Sequence, residues 1–514
     1  MKKSHPVLSC KEASVWERRL LDGSEGLQQA ALQRAGNALG RAILQDMEII
    51  GGLRDGANIL ILAGKGHNAA DALIALREIC CYVEPGKVDI VFSSDINLLK
   101  PLTAEALHAL ECPINCIEPS GQCFELANHY DLCIEGLLGM AYTPPLRDPF
   151  PQLLEMVNRH PDIRFRAAVD LPAGLTETPS GDVFRADTTY LCAIPKLPLF
   201  LAHAAPFRGR LHYLDIGFFD HAEVPASDRK LLLPTILAPL TRLRCSTSDK
   251  RSYGHLCVLA GSMSMPGALL MSLQAALLSG VGLLTAIVPE PLVGALAAAV
   301  PEVMWLPVPL LQSGVLDYAA VQPKIDALLA KSSALLCGPG LGDAPETHSF
   351  IARCVASADL PLVLDASALQ PAVTEALLQR SPDFSMVLLT PHVGEFRRIS
   401  GSTSEELPVL KAYAREHRCC LLLKGPLTSL TDGEQFAYSV FGGPVLARGG
   451  SGDILAGLCG GLYAQQTGKP FETLCQAAVW HGLAAQSLAG DMGERVTRTT
   501  DLLRVLSHPL QGVR

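Results

Sequence analysis

The chain has 514 residues, 49% of them hydrophobic and only 5% aromatic, with 44 glycines and 36 prolines. That length is too great for one hydrophobic core and predicts two domains, while the composition suits α/β layers rather than disorder or a β-sandwich. A net charge of −9 without any basic block argues against nucleic acid or an anionic membrane as partner.

Residues 1–13 are polar and contain no apolar run, so no signal peptide is predicted. The 16 cysteines are scattered through apolar stretches (Cys133, Cys257, Cys337) with no C-x-x-C pair. This predicts buried thiols in a reduced, cytoplasmic protein. An amphipathic segment follows at 13–49. The first half then alternates strand and helix signals, with strands predicted at 58–62, 88–92, 131–134, 165–169 and 190–194. Continuous apolar strands separated by helices predict a parallel sheet covered on both faces.

Gly64-Lys65-Gly66-His67-Asn68-Ala69-Ala70-Asp71 follows the first strand and opens a helix. It fits G-x-G-x-x-A, a dinucleotide fingerprint, with Asp89 about twenty residues on. Asp89 lies inside the second predicted strand rather than at its end, which disfavours a hydride-transfer site. Asn68 and Asp71 also read as helix caps.

The order of that motif, then Glu135-Gly136-Leu137-Leu138-Gly139, then Val169-Asp170-Leu171-Pro172-Ala173-Gly174-Leu175, resembles the NAD(P)H-hydrate epimerase domain over roughly 7–219. The resemblance implies a Rossmann-like three-layer fold that interconverts the (R) and (S) hydrates of NADH and NADPH. His67, Asn68, Asp71, Gly139 and Asp170 would contact the hydrate, with Asp170 catalytic, and Asn68 and Glu135 would hold K+. Departures are repeated. Alanines replace the glycines of the family's N-N-G-G-D-G, Glu135 stands for an aspartate and Ala173 for a serine. Gly139-Met140-Ala141 stands for G-T-G. A hard cation needs several oxygen ligands, and methyl groups keep a phosphate from the backbone, so weakened potassium binding and weakened or absent epimerisation are expected.

The pattern loosens between 219 and 249, where Pro225, Pro234 and Pro239 interrupt it. The boundary is placed there, giving domains 1–225 and 226–514. Residues 256–289 carry no charge, but Pro266, Gly267, Gly280 and Gly282 break them. Their helical part, 268–279, is too short for the ~20 residues of a membrane span. It predicts a buried helix and then a buried strand.

Strands are predicted in the second half at 255–260, 283–288, 334–337, 362–365, 386–389 and 420–423. Nearly all end in Gly, Asp, Thr-Pro or Lys-Gly, where open α/β sheets bind ligands. Gly338-Pro339-Gly340-Leu341-Gly342, Asp365, Thr390-Pro391-His392-Val393-Gly394-Glu395 and Lys424-Gly425 are four such endings. The fifth element is Gly449-Gly450-Ser451-Gly452-Asp453, ahead of a helix predicted over 454–464. Its bare N–H groups and the helix dipole make an anion site. Asp453 reads either as a helix cap or as a base that deprotonates a hydroxyl while the amides hold a transferring phosphate.

From about residue 240 onward the sequence resembles the ADP/ATP-dependent NAD(P)H-hydrate dehydratases, of ribokinase-like fold. The match runs through Lys250, Tyr253-Gly254, Ala260-Gly261-Ser262, Pro266-Gly267-Ala268 and the strand endings in family order. The resemblance implies that the nucleotide, ADP in bacterial and archaeal members, phosphorylates the C6 hydroxyl of the (S)-hydrate. Phosphate loss driven by the ring nitrogen then restores NAD(P)H. Ala268, Gly342, His392 and Asp453 would contact the hydrate, with Asp453 the base. Lys424, Gly425, Pro426, Leu427, Thr428 and Gly452 would hold ADP. Ser367 and Pro426-Leu427 depart from the family pattern. Phosphoryl transfer implies Mg2+, for which only Glu395 suggests itself. The alternatives are a ribokinase-like small-molecule kinase and a non-enzymatic nucleotide-binding protein. A homo-oligomer is expected.

Overall fold

The computed structural model describes residues 2–21, 24–118, 126–140, 142, 144–179, 181–221, 223–381, 386–465 and 468–512. Ala141 of the expected G-T-G position lies outside them. The chain divides into two compact units, one of His5–Ser227 and one of Met1–Ser4 with Asp228–Arg514.

In the first unit the amphipathic segment forms two helices, α1 (Cys10–Leu21) and α2 (Glu25–Glu48), the second capped by the Ser24 side chain accepting from the Leu27 amide. The sheet comprises β1 (Asn58–Ala63), β2 (Lys87–Phe92), β3 (Asn115–Ile117), β4 (Leu132–Gly136), β5 (Arg166–Val169), β6 (Thr188–Cys192) and β7 (Arg210–Leu214). All neighbours pair parallel in the order β3-β2-β1-β4-β5-β6-β7. The order reverses between β1 and β4, which opens a crevice at their carboxyl ends. Helix α3 (His67–Cys80) starts there. β6 begins two residues before its predicted start, on the buried Thr188 and Thr189, and ends where Ala193 turns to φ +63°.

Asp89 sits inside β2, 1% exposed, accepting from Tyr130 Oη (2.5 Å) and Asn115 Nδ2 (2.8 Å) and paired with Lys87. Its partners make it a structural carboxylate.

The second unit is built on a mixed sheet: β8 (Arg229–Leu232), β9 (His255–Leu259), β10 (Leu283–Pro289), β11 (Met304–Val308), β12 (Ala334–Cys337), β13 (Leu362–Leu364), β14 (Val387–Leu389), β15 (Cys419–Leu423), β16 (Thr428–Thr431) and β17 (Phe436–Ser439). They lie in the order β8-β17-β16-β15-β14-β13-β12-β9-β10-β11. β9 to β15 pair parallel, whereas β15-β16-β17 form antiparallel hairpins that the sequence pattern did not predict. The uncharged stretch becomes α4 (Pro266–Leu278), buried on one face only with Leu278 exposed, and β10, buried along nearly all its length. Further on come α5 (Val393–Ser400), α6 (Ser451–Ala464) and α7 (Pro470–Met492).

The core of this unit joins β9, β12, α4, α6 and α7. Helices α4 and α6 press together because glycine faces helix: a Cβ on Gly457 would lie 2.2 Å from the Ser272 carbonyl. No described helix is long and apolar enough to cross a membrane. Every described cysteine is a free thiol.

Candidate active sites

In the second unit β9 and β12 to β15 run parallel, so their carboxyl ends open on one side. After β12 the chain turns through Gly338 at φ +124°, where a Cβ would stand 1.7 Å from the Asp365 carbonyl. Only glycine allows that approach. Asp365, after β13, is 1% exposed. Its Oδ1 accepts from Thr390 Oγ1 (2.8 Å), after β14, and from Lys424 Nζ (2.8 Å), after β15. Lys424 also faces Glu395, 3.8 Å away. Burial disfavours its ammonium, but Asp365 and Glu395 more than offset this and hold it charged.

His392 is the N-cap of α5. Its Nδ1 accepts from the Glu395 amide (3.1 Å), and its own amide donates to Glu395 Oε2 (2.7 Å). This reciprocal capping box fixes the ring with its proton on Nε2. The imidazole is 58% exposed, open to a ligand. Glu395, suggested for magnesium, is instead this capping carboxylate and a neighbour of Lys424.

Helix α6 begins at Ser451, three residues before its predicted start. Gly450, at φ +93°, is the N-cap, and the Ser451 hydroxyl donates to the carbonyls of Leu446 and Arg448. Asp453 therefore stands in the first turn rather than ahead of the helix. Its carbonyl accepts from Ser272 Oγ (3.1 Å), which also donates to the Ala268 carbonyl (3.0 Å). One hydroxyl thus ties the first turn of α4 to that of α6. Burial, then Asp365, pushes the Asp453 carboxyl up to about 6, with Lys424 pulling the other way. A Cβ on Gly452 would lie 3.3 Å from Lys424 Nζ, so the amide-bearing turn faces the ammonium.

The structure thus brings together Ala268, Lys424, Gly452 and Asp453, with His392 through Glu395. Gly342, at φ +79°, belongs to the loop after β12 and would have open space beside its Cβ. That loop meets α4 where a Cβ on Gly340 would approach Ala268 to 2.9 Å. Gly425, Pro426 and Leu427 form the turn from β15 to β16, and Thr428 opens β16. Among the described residues no group of three His, Cys, Asp or Glu side chains is arranged to hold a metal. Asp365 and Glu395 are already engaged, by Thr390 and Lys424 and by the His392 amide.

Sequence reasoning missed Ser272 and His481. A hydroxyl inside an apolar helix needs a buried acceptor, which was the available signal for Ser272. His481, on α7, is buried near Lys424, its imidazole pushed down to about 4 by burial.

In the first unit, a Cβ on Gly64 would stand 1.9 Å from the Leu137 carbonyl, so the loop after β1 lies directly against the loop after β4. Beside them opens a cavity of ≈ 530 Å³ lined by Glu17, His67, Asn68, Asp71, Asp170 and Lys196, among others, with Gly139 on its wall. Asp170 is held at φ +67°, a strained position that aims its carboxylate at Lys196 Nζ, 2.6 Å away. Burial opposes the ammonium and the Asp170 carboxylate restores it. Asp71 is buried on α3, and burial, then Asp170 and Glu17, pushes its carboxyl well up. Glu17 is raised by burial as well. His67 stands at the start of α3 on the cavity wall, where partial desolvation and then Lys100 lower its imidazole.

The set is larger than the Asn68, Asp71 and Asp170 expected to carry chemistry. Lys196 and Glu17 lie far from those motifs in sequence, and only the fold joins them. Asn68 donates through Nδ2 to the carbonyls of Leu138 (2.9 Å) and Val169 (3.1 Å). Glu135 is fully buried and accepts the amides of Leu137 and Ala173.

Residues 256–508 match the family described as NAD(P)H-hydrate dehydratase, and residues 28–197 match the YjeF-related protein N-terminus. The chain is 30% identical over 477 residues to the bifunctional NAD(P)H-hydrate repair enzyme Nnr of Moorella thermoacetica, covering 88% of each. It is 33% identical over 476 residues to the Nnr of Gloeobacter violaceus, covering 90% of this chain and 89% of that one. A solved ADP/ATP-dependent NAD(P)H-hydrate dehydratase from Bacillus subtilis, co-crystallised with ATP and Mg2+, is 24% identical; it aligns with 54% of this chain and 97% of its own, at a TM-score of 0.45.

Proposed function

The chain belongs to the bifunctional NAD(P)H-hydrate repair enzymes, and from that premise we propose that its second unit dehydrates the (S)-hydrates of NADH and NADPH, using ADP as phosphoryl donor. Asp453 takes the proton from the C6 hydroxyl as the β-phosphoryl group of ADP arrives, leaving AMP. The N–H groups of Gly452 and its neighbours, with the α6 dipole, stabilise the charge on the transferring group. Lys424 faces that turn as a fixed positive charge. The C6–O bond of the phosphorylated hydrate then breaks, its electron pair leaving with phosphate as the ring nitrogen's lone pair forms an iminium to C6. Loss of a proton from C5 to water gives the C5=C6 double bond of NAD(P)H and restores the nitrogen lone pair.

Ala268 and Gly342 bound the ring, and His392 offers its Nε2–H. The turn Lys424 to Thr428 receives the nucleotide. Magnesium carried on the nucleotide would supply charge neutralisation at the phosphates.

The observation that carries this reading is the placement of Asp453. A base for a hydroxyl near neutral pH needs a carboxyl raised above its ordinary range beside an anion-stabilising turn, and Asp453 has both. Incubation of NADH-hydrate with ADP tests it: recovered NADH absorbance with one AMP per NADH supports it. A stable phosphorylated product would instead make the protein a kinase of the same fold.

We assign the first unit to hydrate epimerisation at a reduced rate, since methyl groups of Ala69 and Ala70 occupy the helix start where the family has glycine. The full chain without ADP, given (R)-hydrate, tests this; rapid appearance of (S)-hydrate would overturn it.

A further inference from the structure

The expected potassium ligands of the first unit are Asn68, residue 135 and residue 173, and each has a hydrogen-bonding fate in this fold. Glu135 reaches one methylene further than an aspartate. It is 0% exposed, and its Oε1 accepts the Leu137 amide at 2.7 Å while Oε2 accepts the Ala173 amide at 3.0 Å. Ala173 brings no side-chain oxygen. The neighbouring carbonyls of Leu138 and Val169, which could serve an ion, instead accept N–H from Asn68 Nδ2.

A hard cation is held by several converging oxygens, and here N–H donors occupy them. Donors and cation compete for the same lone pairs, so the site as built is a poor one for an ion.

The positive charge that the cavity does contain belongs to the chain. Lys196 Nζ donates to Asp170 Oδ1 (2.6 Å), the Ile194 carbonyl (3.1 Å) and the Cys192 carbonyl (3.4 Å), with its side chain 3% exposed.

We propose that the first unit's site is free of alkali metal: Glu135 is a backbone staple joining the loops after β4 and β5, and Lys196 is the buried cation that pairs with Asp170. The inference rests on reading this unit as a hydrate-epimerase site, but its test does not require activity.

The test is thermal unfolding of the full chain with increasing KCl, balanced at constant ionic strength by N-methylglucamine chloride. It compares the natural sequence with E135D/A173S, which shortens the staple and supplies a hydroxyl oxygen. The natural chain should show no potassium-specific change in Tm. The double variant should gain a saturable rise of roughly 3–6 °C at potassium tenfold above its Kd. A saturable potassium-specific rise in the natural chain would overturn the proposal. So would a flat response in both, because residues 135 and 173 would then not be what excludes the ion. Failure of the epimerase reading shows separately, as no exchange of the hydrates in any salt.

Discussion

Lys424 Nζ stands 2.8 Å from Asp365 Oδ1, joining the ends of two strands that are not neighbours in the sheet, β13 and β15. Thr390, from the strand between them, donates to the same oxygen. The base Asp453 sits in the field of this pair, so the charge that assists phosphoryl transfer and the carboxyl that accepts the proton are tuned by one cluster.

Asp365→Asn leaves the Lys424 ammonium short of its main partner while keeping the shape of the side chain. Breaking a buried pair by removing one partner costs about 3 kcal/mol, the lower end of the usual range because Lys424 is 23% exposed. Denaturant unfolding checks the stability loss. A larger fall in kcat than in ADP affinity checks that Lys424 acts on the transfer.

The pH dependence has a definite sign. With Asp453 at about 6, kcat/KM should fall tenfold per pH unit below that value and level off above it. Its folded pKa is raised from 3.8, so its contribution to stability is full below 3.8 and lost as pH rises through about 6. Asp453→Asn does not titrate, so its Tm relative to the natural chain should rise across that window. A parallel pair of Tm curves would contradict the raised value.

Ser272→Ala removes the hydroxyl that ties Asp453 to Ala268. The expected loss is about 1 kcal/mol in stability. Because the tie positions the base rather than touching substrate, kcat should drop while the acid limb of the pH profile stays in place.

Lys196→Met strands the buried Asp170 carboxylate and should cost about 3–5 kcal/mol in the first unit, as measured by urea unfolding. Replacing Asp170 by Asn in the same chain should recover most of that, because Asn tolerates the positive φ and neither charge is then left alone.

The strand endings were legible because apolar runs stop at residues with a visible reason to stop there: Gly338, Asp365, Thr390, Lys424. The start of α6 was not, since Gly452 is a poor helix former and reads as loop. The Ser451 hydroxyl, bonded back to Leu446 and Arg448, sets the start earlier. Strands β16 and β17 carry threonines and serines that hide their pairing. Lys196 was missed because a lysine in an apolar run reads as a surface charge, and its partner lies 26 residues away. The doubt over the 68, 135 and 173 positions came from residue types alone; the staple made by Glu135 needed coordinates.

The most direct measurement is turnover and ADP binding by Asp453→Asn, with NADH-hydrate, ADP and Mg2+ supplied and NADH absorbance and AMP followed together. The account predicts loss of both products by at least a thousandfold, with ADP affinity within about threefold of the natural chain. Undiminished release of NADH and AMP by that variant would contradict it.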